Sequence, residues 1–333
     1  MSFKLTRRSL LASLSSVPFI EGALAQNAGG NAIIYTSNSA QAVEAVTDTG
    51  RKLAPNIKIS TITGGSGQLL RRIEAEAGKP QCDVFWSSSA NTLGAFKQLF
   101  EPFEAKERQA ILPSLRDPAN LWTAANIHVV VAMLNKNQLG GLPPPRTWAD
   151  LLDPRFKGKI IIADPANSST AYTVLWGIDK LLGGDALKRL AANTKVSSAA
   201  AAVLRSVGQG EYAVGLTFES NAYAYVAGGQ KEISLLYPED GTFTTAEYLA
   251  LVKNAPNGEQ ARQVANLLLS KECQIALLEN AFRRPSRTDI DVGKYVELPE
   301  LDKIKIFATD EEDAAAKRSE FLAKWQGFVA ASN

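Results

Sequence analysis

Cysteine and histidine are almost missing from this chain of 333 residues. It has two cysteines, Cys82 and Cys273, and one histidine, His128. A structural zinc site wants four closely spaced Cys or His ligands, and a Ser-His-Asp relay would have to use this single imidazole. His128 runs straight into Val129-Val130-Val131, which reads as a packed structural histidine in a strand. Neither sign of charge dominates: 36 Lys+Arg face 34 Asp+Glu, so no basic surplus points to nucleic acid. No apolar run approaches the roughly 20 residues that a membrane-spanning helix needs. What remains is 45% hydrophobic and 21% charged, the composition of a soluble globular protein of about two domains.

The start of the chain reads as an address. Lys4, Arg7 and Arg8 precede a short apolar stretch, and Ala23-Leu24-Ala25 is an A-x-A cleavage site before Gln26. Residues 1–25 are therefore expected to be an export signal, and Thr6-Arg7-Arg8-Ser9-Leu10-Leu11 fits the twin-arginine as well as the Sec form. Without that segment the chain carries 33 charges of each sign. The expected location is the bacterial periplasm. In that oxidising space a Cys82–Cys273 bridge is chemically allowed, but both cysteines sit in apolar patterns and are expected as buried free thiols.

Apolar runs at 32–36, 57–62, 83–87, 128–134, 159–163, 212–218, 233–237 and 248–253 have strand length and character. Helical patterns lie between them, such as 68–77 with Leu69, Ile73 and Ala77. This alternation predicts an α/β fold with largely parallel sheets. Asp310-Glu311-Glu312-Asp313 suits the positive end of a helix, and Phe321, Leu322, Trp325 and Phe328 then share one face.

Small polar turns follow several of these strands. Thr36-Ser37-Asn38-Ser39 follows the first, Thr63-Gly64-Gly65-Ser66-Gly67 the second, and Ser87-Ser88-Ser89 the third. Asn167-Ser168-Ser169-Thr170 comes after 159–163. One such turn is an ordinary helix cap. Four of them after strands predict an oxyanion pocket, because open α/β sheets bind ligands at the carboxyl ends of strands, where helix N-termini offer free N–H groups. Enzyme motifs do not fit. Gly65-Ser66-Gly67-Gln68-Leu69-Leu70 has Leu where a dinucleotide fingerprint needs its third Gly, and Gly64-Gly65-Ser66-Gly67-Gln68 has Gln where a nucleophile elbow needs Gly.

Over nearly all of its length past the signal, the chain resembles the periplasmic solute-binding proteins of ABC importers. The branch it is most similar to contains ferric-ion, sugar-phosphate, aminoethylphosphonate and thiamine binders. The resemblance rests on Gly65-Ser66-Gly67-Gln68-Leu69 with Arg72-Ile73, on Pro80-Gln81-Cys82-Asp83-Val84-Phe85-Trp86, and on Leu99-Phe100-Glu101-Pro102. It continues through Thr147-Trp148-Ala149-Asp150-Leu151-Leu152-Asp153-Pro154, Phe156-Lys157-Gly158-Lys159, Asp164-Pro165-Ala166-Asn167-Ser168-Ser169 and Val214-Gly215-Leu216-Thr217-Phe218-Glu219. It implies a type II fold: two α/β lobes, each a mixed, largely parallel sheet flanked by helices, hinged by crossing strands and closing on ligand. Lobe one is expected over 31–126 and 244–333, and lobe two over 127–243. The resemblance also implies a small anionic ligand, an ABC permease in the inner membrane as partner, a monomer, no cofactor, no resident metal and no catalysis.

The site expected from these readings takes Ser37, Asn38, Ser66, Gly67 and Ser88 from lobe one, and Asn167, Ser168, Ser169, Thr170, Phe218 and Glu219 from lobe two. Glu239 and Asp240 join them as acceptors for sugar hydroxyls or partners for an ammonium. Ferric binders of the family resemble one another in an adjacent tyrosine pair after the strand matching 212–218. Here that place reads Phe218-Glu219-Ser220-Asn221, and Tyr223 and Tyr225 are not adjacent. The expectation is therefore a small organic phosphate or phosphonate, such as a sugar phosphate or 2-aminoethylphosphonate. Fe(III) and thiamine or its phosphates are the alternatives within the family. A secreted hydrolase using Glu219 or Asp240 as general base is the remote one.

Overall fold

The computed structural model describes residues 29–332, so the export signal read in residues 1–25 lies outside the described residues. The strands are β1 Gly30–Thr36, β2 Ile57–Thr63, β3 Val84–Trp86, β4 Phe100–Glu101, β5 Thr123–Asn135, β6 Ile160–Ala163, β7 Thr194–Ser197, β8 Val214–Phe218, β9 Ile233–Leu236, β10 Thr244–Val252 and β11 Arg284–Pro285. The α-helices are α1 Ala40–Leu53, α2 Ser66–Ala75, α3 Ala90–Leu93, α4 Ser169–Leu182, α5 Ala186–Asn193, α6 Ala200–Gly208, α7 Glu219–Ala227, α8 Gly258–Leu269, α9 Lys271–Ala281, α10 Glu311–Ala316 and α11 Arg318–Ser332.

The strands pair in the order β2-β1-β3-β10-β5-β8-β6-β7. Both outer thirds are parallel: β1 runs with β2 and β3, and β6 runs with β7 and β8. The middle is antiparallel, where β10 meets β3 and β5, and β5 meets β8. Inner parallel strands such as β6 and β8 are apolar at almost every position because helices cover both faces, while the edge strands β2 and β7 carry polar residues. All of Ile160–Ala163 and all of Val214–Phe218 are buried.

β5 ties the two ends of the molecule together. Residues Thr123 to Val129 pair with β10, and Val130 to Asn135 pair with β8 and β9. Two hydrophobic cores divide along it. One gathers side chains between Ala32 and Ala125 and between Ala246 and Ala281. The other gathers side chains between Val129 and Phe243. Part of the C-terminal stretch packs on the second core. Ile304, Ala314, Phe321 and Trp325 join the second core, and Phe321 packs edge-on against Tyr172 with ring centres 5.5 Å apart. The cause is the apolar face of α11, which needs cover and finds it on α4 and α5.

Eight strands expected from apolar runs are present, with ends shifted by a few residues. β4 and β11 are two residues long and β7 is mostly polar and only partly buried, so none of the three shows an apolar run. β10 begins earlier than expected, at Thr244, because its first half is polar and kinks at a bulge between Glu247 and Tyr248. The acidic run opens a helix as expected, with Asp310 accepting from the backbone N–H groups of Glu312 and Asp313. Cys82 and Cys273 are buried free thiols. Burial pushes the Cys273 thiol up to about 12 and Cys82 higher still.

Asp83 pins the first core. Its carboxylate accepts from the backbone N–H of Ile33 at 2.7 Å, and from the backbone and side-chain nitrogens of Asn257 at 2.9 and 3.0 Å. It thereby joins β1 and β3 to the start of α8. Each buried donor left without a partner costs about 1–3 kcal/mol. Asp83→Ala is therefore expected to lower the free energy of unfolding in urea by about 2–5 kcal/mol, and an unchanged midpoint would contradict this role.

Candidate functional site

A cleft of about 930 Å³ lies between the two cores. It sits at the carboxyl ends of the parallel strands of both, the expected position in open α/β sheets. Ser37 follows β1, Thr63 ends β2, Ser88 follows β3, Asn167 follows β6, Ser198 follows β7 and Phe218 ends β8, and all of them line it. Each of these strands leads into a helix. The amino ends of α1, α2, α4, α6 and α7 therefore open toward one space, and Ser89, just before the single turn of α3, lines it as well. Helix amino ends carry unpaired N–H groups and a partial positive charge.

The local sequence fixes these ends. Ser39 caps α1 by accepting from the Ala42 N–H, and Ser168 caps α4 by accepting from the Ala171 N–H at 3.3 Å. α6 starts on Ala199 to Ala201 with no side-chain cap, and those three alanines line the cleft. Ser88 has a backbone φ of +76°, a left-handed conformation uncommon for a non-glycine residue. Its buried hydroxyl has no hydrogen-bond partner.

The floor of the cleft is a buried charged cluster. Arg283 is nearly inaccessible to water, with 4% of its surface exposed. Its Nη1 donates to His128 at 3.1 Å and Ser220 at 3.1 Å, and its Nη2 to Asn38 at 2.9 Å and Asn221 at 3.4 Å. All four partners are neutral, and Nε has no partner. Burial lowers the pKa of Arg283, opposed by the charge of Glu247. Asn38 stands between the two charges. Its Oδ1 faces Arg283, and its Nδ2 donates to both carboxylate oxygens of Glu247 at 3.1 Å. Burial works to raise the Glu247 pKa, but the hydrogen bond from His128, the charge of Arg283 and the Asn38 amide outweigh it and hold the carboxyl below its usual range. His128 stacks on Phe218 with ring centres 4.1 Å apart and planes 7° from parallel. Burial, and then the Arg283 charge, lower its pKa and favour neutral imidazole.

Ser37, Asn38, Ser66, Ser88, Asn167, Ser168, Ser169, Thr170 and Phe218 all line the cleft. Four expected site residues do not. Gly67 packs against the opposite wall, donating its N–H to the Asn167 carbonyl at 3.3 Å. Glu219 is spent on a two-point ion pair with Arg284, at 2.7 and 2.9 Å, and also accepts from the Tyr237 hydroxyl. Glu239 is exposed and paired with Arg146. Asp240 accepts from the backbone N–H groups of Trp148 and Ala149. Glu219 and Asp240 are thereby withdrawn from the role of general base.

Sequence reasoning missed His128, Asn221, Glu247 and Arg283. The only available sign for Glu247 was a lone acid beside an apolar run. Arg283 follows Phe282, which leaves α9 in a left-handed conformation, and nothing in Phe282-Arg283-Arg284-Pro285 marks which of the two buried arginines lines the cleft.

The fold and this site define a solute-binding protein, and sequence comparison places the chain within one family. The model of the bacterial extracellular solute-binding protein family matches residues 79–315, and the chain belongs to that family. Among its similar relatives is a putative 2-aminoethylphosphonate-binding periplasmic protein of Salmonella typhi, 25% identical over 82% of this chain and 83% of that one. Another is iron uptake protein A1 of Synechocystis, 26% identical over 72% and 71%. Among solved structures, the periplasmic binding protein AfuA from Actinobacillus pleuropneumoniae with exogenous fructose-6-phosphate bound is 28% identical, with a TM-score of 0.82, over 90% of this chain and 99% of that one. The fold is the type II periplasmic binding fold of these neighbours, and its α/β class is the one the sequence predicted. Among the described residues no helix is long and apolar enough to cross a membrane.

The neutral buried His128 gives a stability prediction. Its folded pKa lies below the unfolded value of about 6.5, so below that pH the unfolded chain binds the extra proton. Stability should therefore fall as the pH drops below about 6.5. Glu311, raised to about 7 by burial, acts in the opposite sense, so the informative quantity is a difference. Subtracting the urea stability of His128→Gln from that of the wild type should give a value that decreases from pH 7 to pH 5. A flat difference would contradict the assignment.

Proposed function

We propose that this chain is the solute-capturing component of an ABC importer, and that its cargo is a small organic phosphate or phosphonate. The observation that carries the reading is the floor of the cleft. A buried guanidinium hydrogen-bonded only to neutral groups, with Nε unpaired, lies where five helix amino ends converge. Glu247 offsets this charge through Asn38 without touching it, and an oxyanion in the cleft would add a counter-charge on the open side. The serine and threonine hydroxyls at 37, 88, 168 and 170 add neutral donors for phosphoryl oxygens. Glu247 and Asn221 serve the rest of the solute, accepting from and donating to hydroxyl or ammonium groups. The names of the Salmonella typhi relative and of the fructose-6-phosphate-bound structure are in line with this cargo, while that of the Synechocystis relative points to iron. Export by the signal in 1–25 would bring the protein to its solute.

The same geometry disfavours the alternatives. Tyr223 packs on Phe282 at 4.9 Å and Tyr225 packs over Gly208, so neither phenol lines the cleft as a ligand for Fe(III). Among the described residues no group of three or more His, Cys, Asp or Glu is placed to hold a metal. A thiamine ring would want an aromatic surface, and Phe218 already gives one face to His128. The carboxylates considered for hydrolysis are committed to Arg284 and to backbone N–H groups. The protein then performs no bond chemistry. It removes an anion from water and hands it to a permease.

A thermal-shift series on the chain without residues 1–25 tests the cargo class. A solute at about 100 times its dissociation constant adds about 2.7 kcal/mol of stability. Fructose 6-phosphate or 2-aminoethylphosphonate should raise the midpoint by several degrees, and Fe(III) citrate should not. Arg283→Gln should weaken binding of the active compound about 10- to 100-fold, the loss of one charge-assisted interaction. A midpoint raised by Fe(III) alone would overturn the reading.

A further inference from the structure

The walls of the cleft touch each other at its mouth. Ser66 Oγ accepts from the Ser169 N–H at 2.9 Å, and the Gly67 N–H donates to the Asn167 carbonyl at 3.3 Å. Arg71, one turn further along α2, donates to the Asn167 side chain at 2.8 Å and the Ala166 carbonyl at 3.4 Å. These bonds join residues about a hundred positions apart, from elements packed on different cores.

The two glycines of this turn have a steric reason. Neither has a positive φ, so backbone freedom does not require glycine at either position. Space does. A Cβ on Gly67 would lie 2.1 Å from the Ala166 carbonyl oxygen, and one on Gly65 would lie 2.6 Å from that of Asn167. Both obstacles are backbone of the opposite wall, which no side-chain rotation relieves. Gly67 also stands in the first turn of α2, where alanine is the better helix former. Position 67 thus forgoes helix propensity and gains close approach across the cleft.

We propose that Gly65, Ser66, Gly67 and Arg71 form one half of a latch, with residues 166–169 as the other half, and that Gly67 sets how far the two lobes close. The proposal deepens the capture reading above, since it rests on the two cores acting as a clamp. It moves Ser66, Gly67 and Asn167 from ligand contact to clamp closure. In the closed form Ser66 bonds Ser169 and Gly67 bonds Asn167, leaving Ser37, Asn38, Ser88, Ser168 and Thr170 to face the solute. Affinity then depends on residues that never touch it.

Cross-linking tests the latch without any ligand. Ser66→Cys and Ser169→Cys are introduced together, mild oxidant is added, and each single variant serves as control. The pair should form an intramolecular disulfide in the Gly67 background. Adding Gly67→Ala should cut the extent at least tenfold while circular dichroism is unchanged and the thermal midpoint of the free protein is equal or higher. Equal cross-linking with Gly67→Ala, or none in either background, would overturn the latch. Gly67→Ala should also weaken binding of fructose 6-phosphate or 2-aminoethylphosphonate, whichever binds, at least tenfold. If neither compound binds the wild type, the cargo reading fails, while the cross-linking result still decides the latch.

Discussion

Arg283 carries its charge into the base of a cleft where water is largely excluded, and it meets only neutral hydrogen-bond partners there. Much of the surrounding arrangement follows from that. The Asn38 amide is oriented by Arg283 on its oxygen and Glu247 on its nitrogen, so it acts as a neutral spacer between opposite charges. His128 is kept neutral and turns its face to Phe218. The two ionised groups offset one another without direct contact. Removing either one would leave the other uncompensated in a low-dielectric site, a costly state.

The topology brings that cluster under a converging set of helix ends. Three parallel strands on each side run their carboxyl ends toward the same space, and all but β3 hand over to a helix whose amino end faces it. β5 passes through both sheets, so the two halves share one strand rather than a flexible linker. The C-terminal segment adds a second tie behind the cleft. Arg318 donates to Thr92 on one side and to the Pro165 carbonyl on the other, with its guanidinium 4.2 Å above the Tyr172 ring. Contacts at the mouth, the floor and the back thus all join the same two bodies.

The sequence revealed more of the fold than of the site. Buried strands such as β6 and β8 announced themselves because helices on both faces demand apolar residues at nearly every position. The polar turns at Ser37, Ser88 and Ser168 were readable because helix caps and strand ends have a local grammar. What stayed hidden was non-local. Glu219 looked exposed to ligand at the end of a buried strand until Arg284, 65 positions later, was seen to claim it. Arg283 and Arg284 are neighbours with opposite fates, and only the left-handed turn at Phe282 and the packing of α9 decide which one enters the cleft. Gly67 belonged to a recognisable motif, but its reason lies in the carbonyl of Ala166, a partner no local pattern names.

The central claim is that the cleft holds an oxyanion by the field of Arg283 and the helix ends. The most direct test is the phosphorus-31 resonance of fructose 6-phosphate and of 2-aminoethylphosphonate, each titrated with the protein across a range of pH. The account predicts a shifted, saturable bound signal for at least one of them. The second ionisation of that bound group should also fall below its free value, near 6 for a phosphate monoester, because the site favours the more charged form. Resonances that keep their free position and titration at stoichiometric protein, with tight uptake of Fe(III) in the same sample, would contradict it.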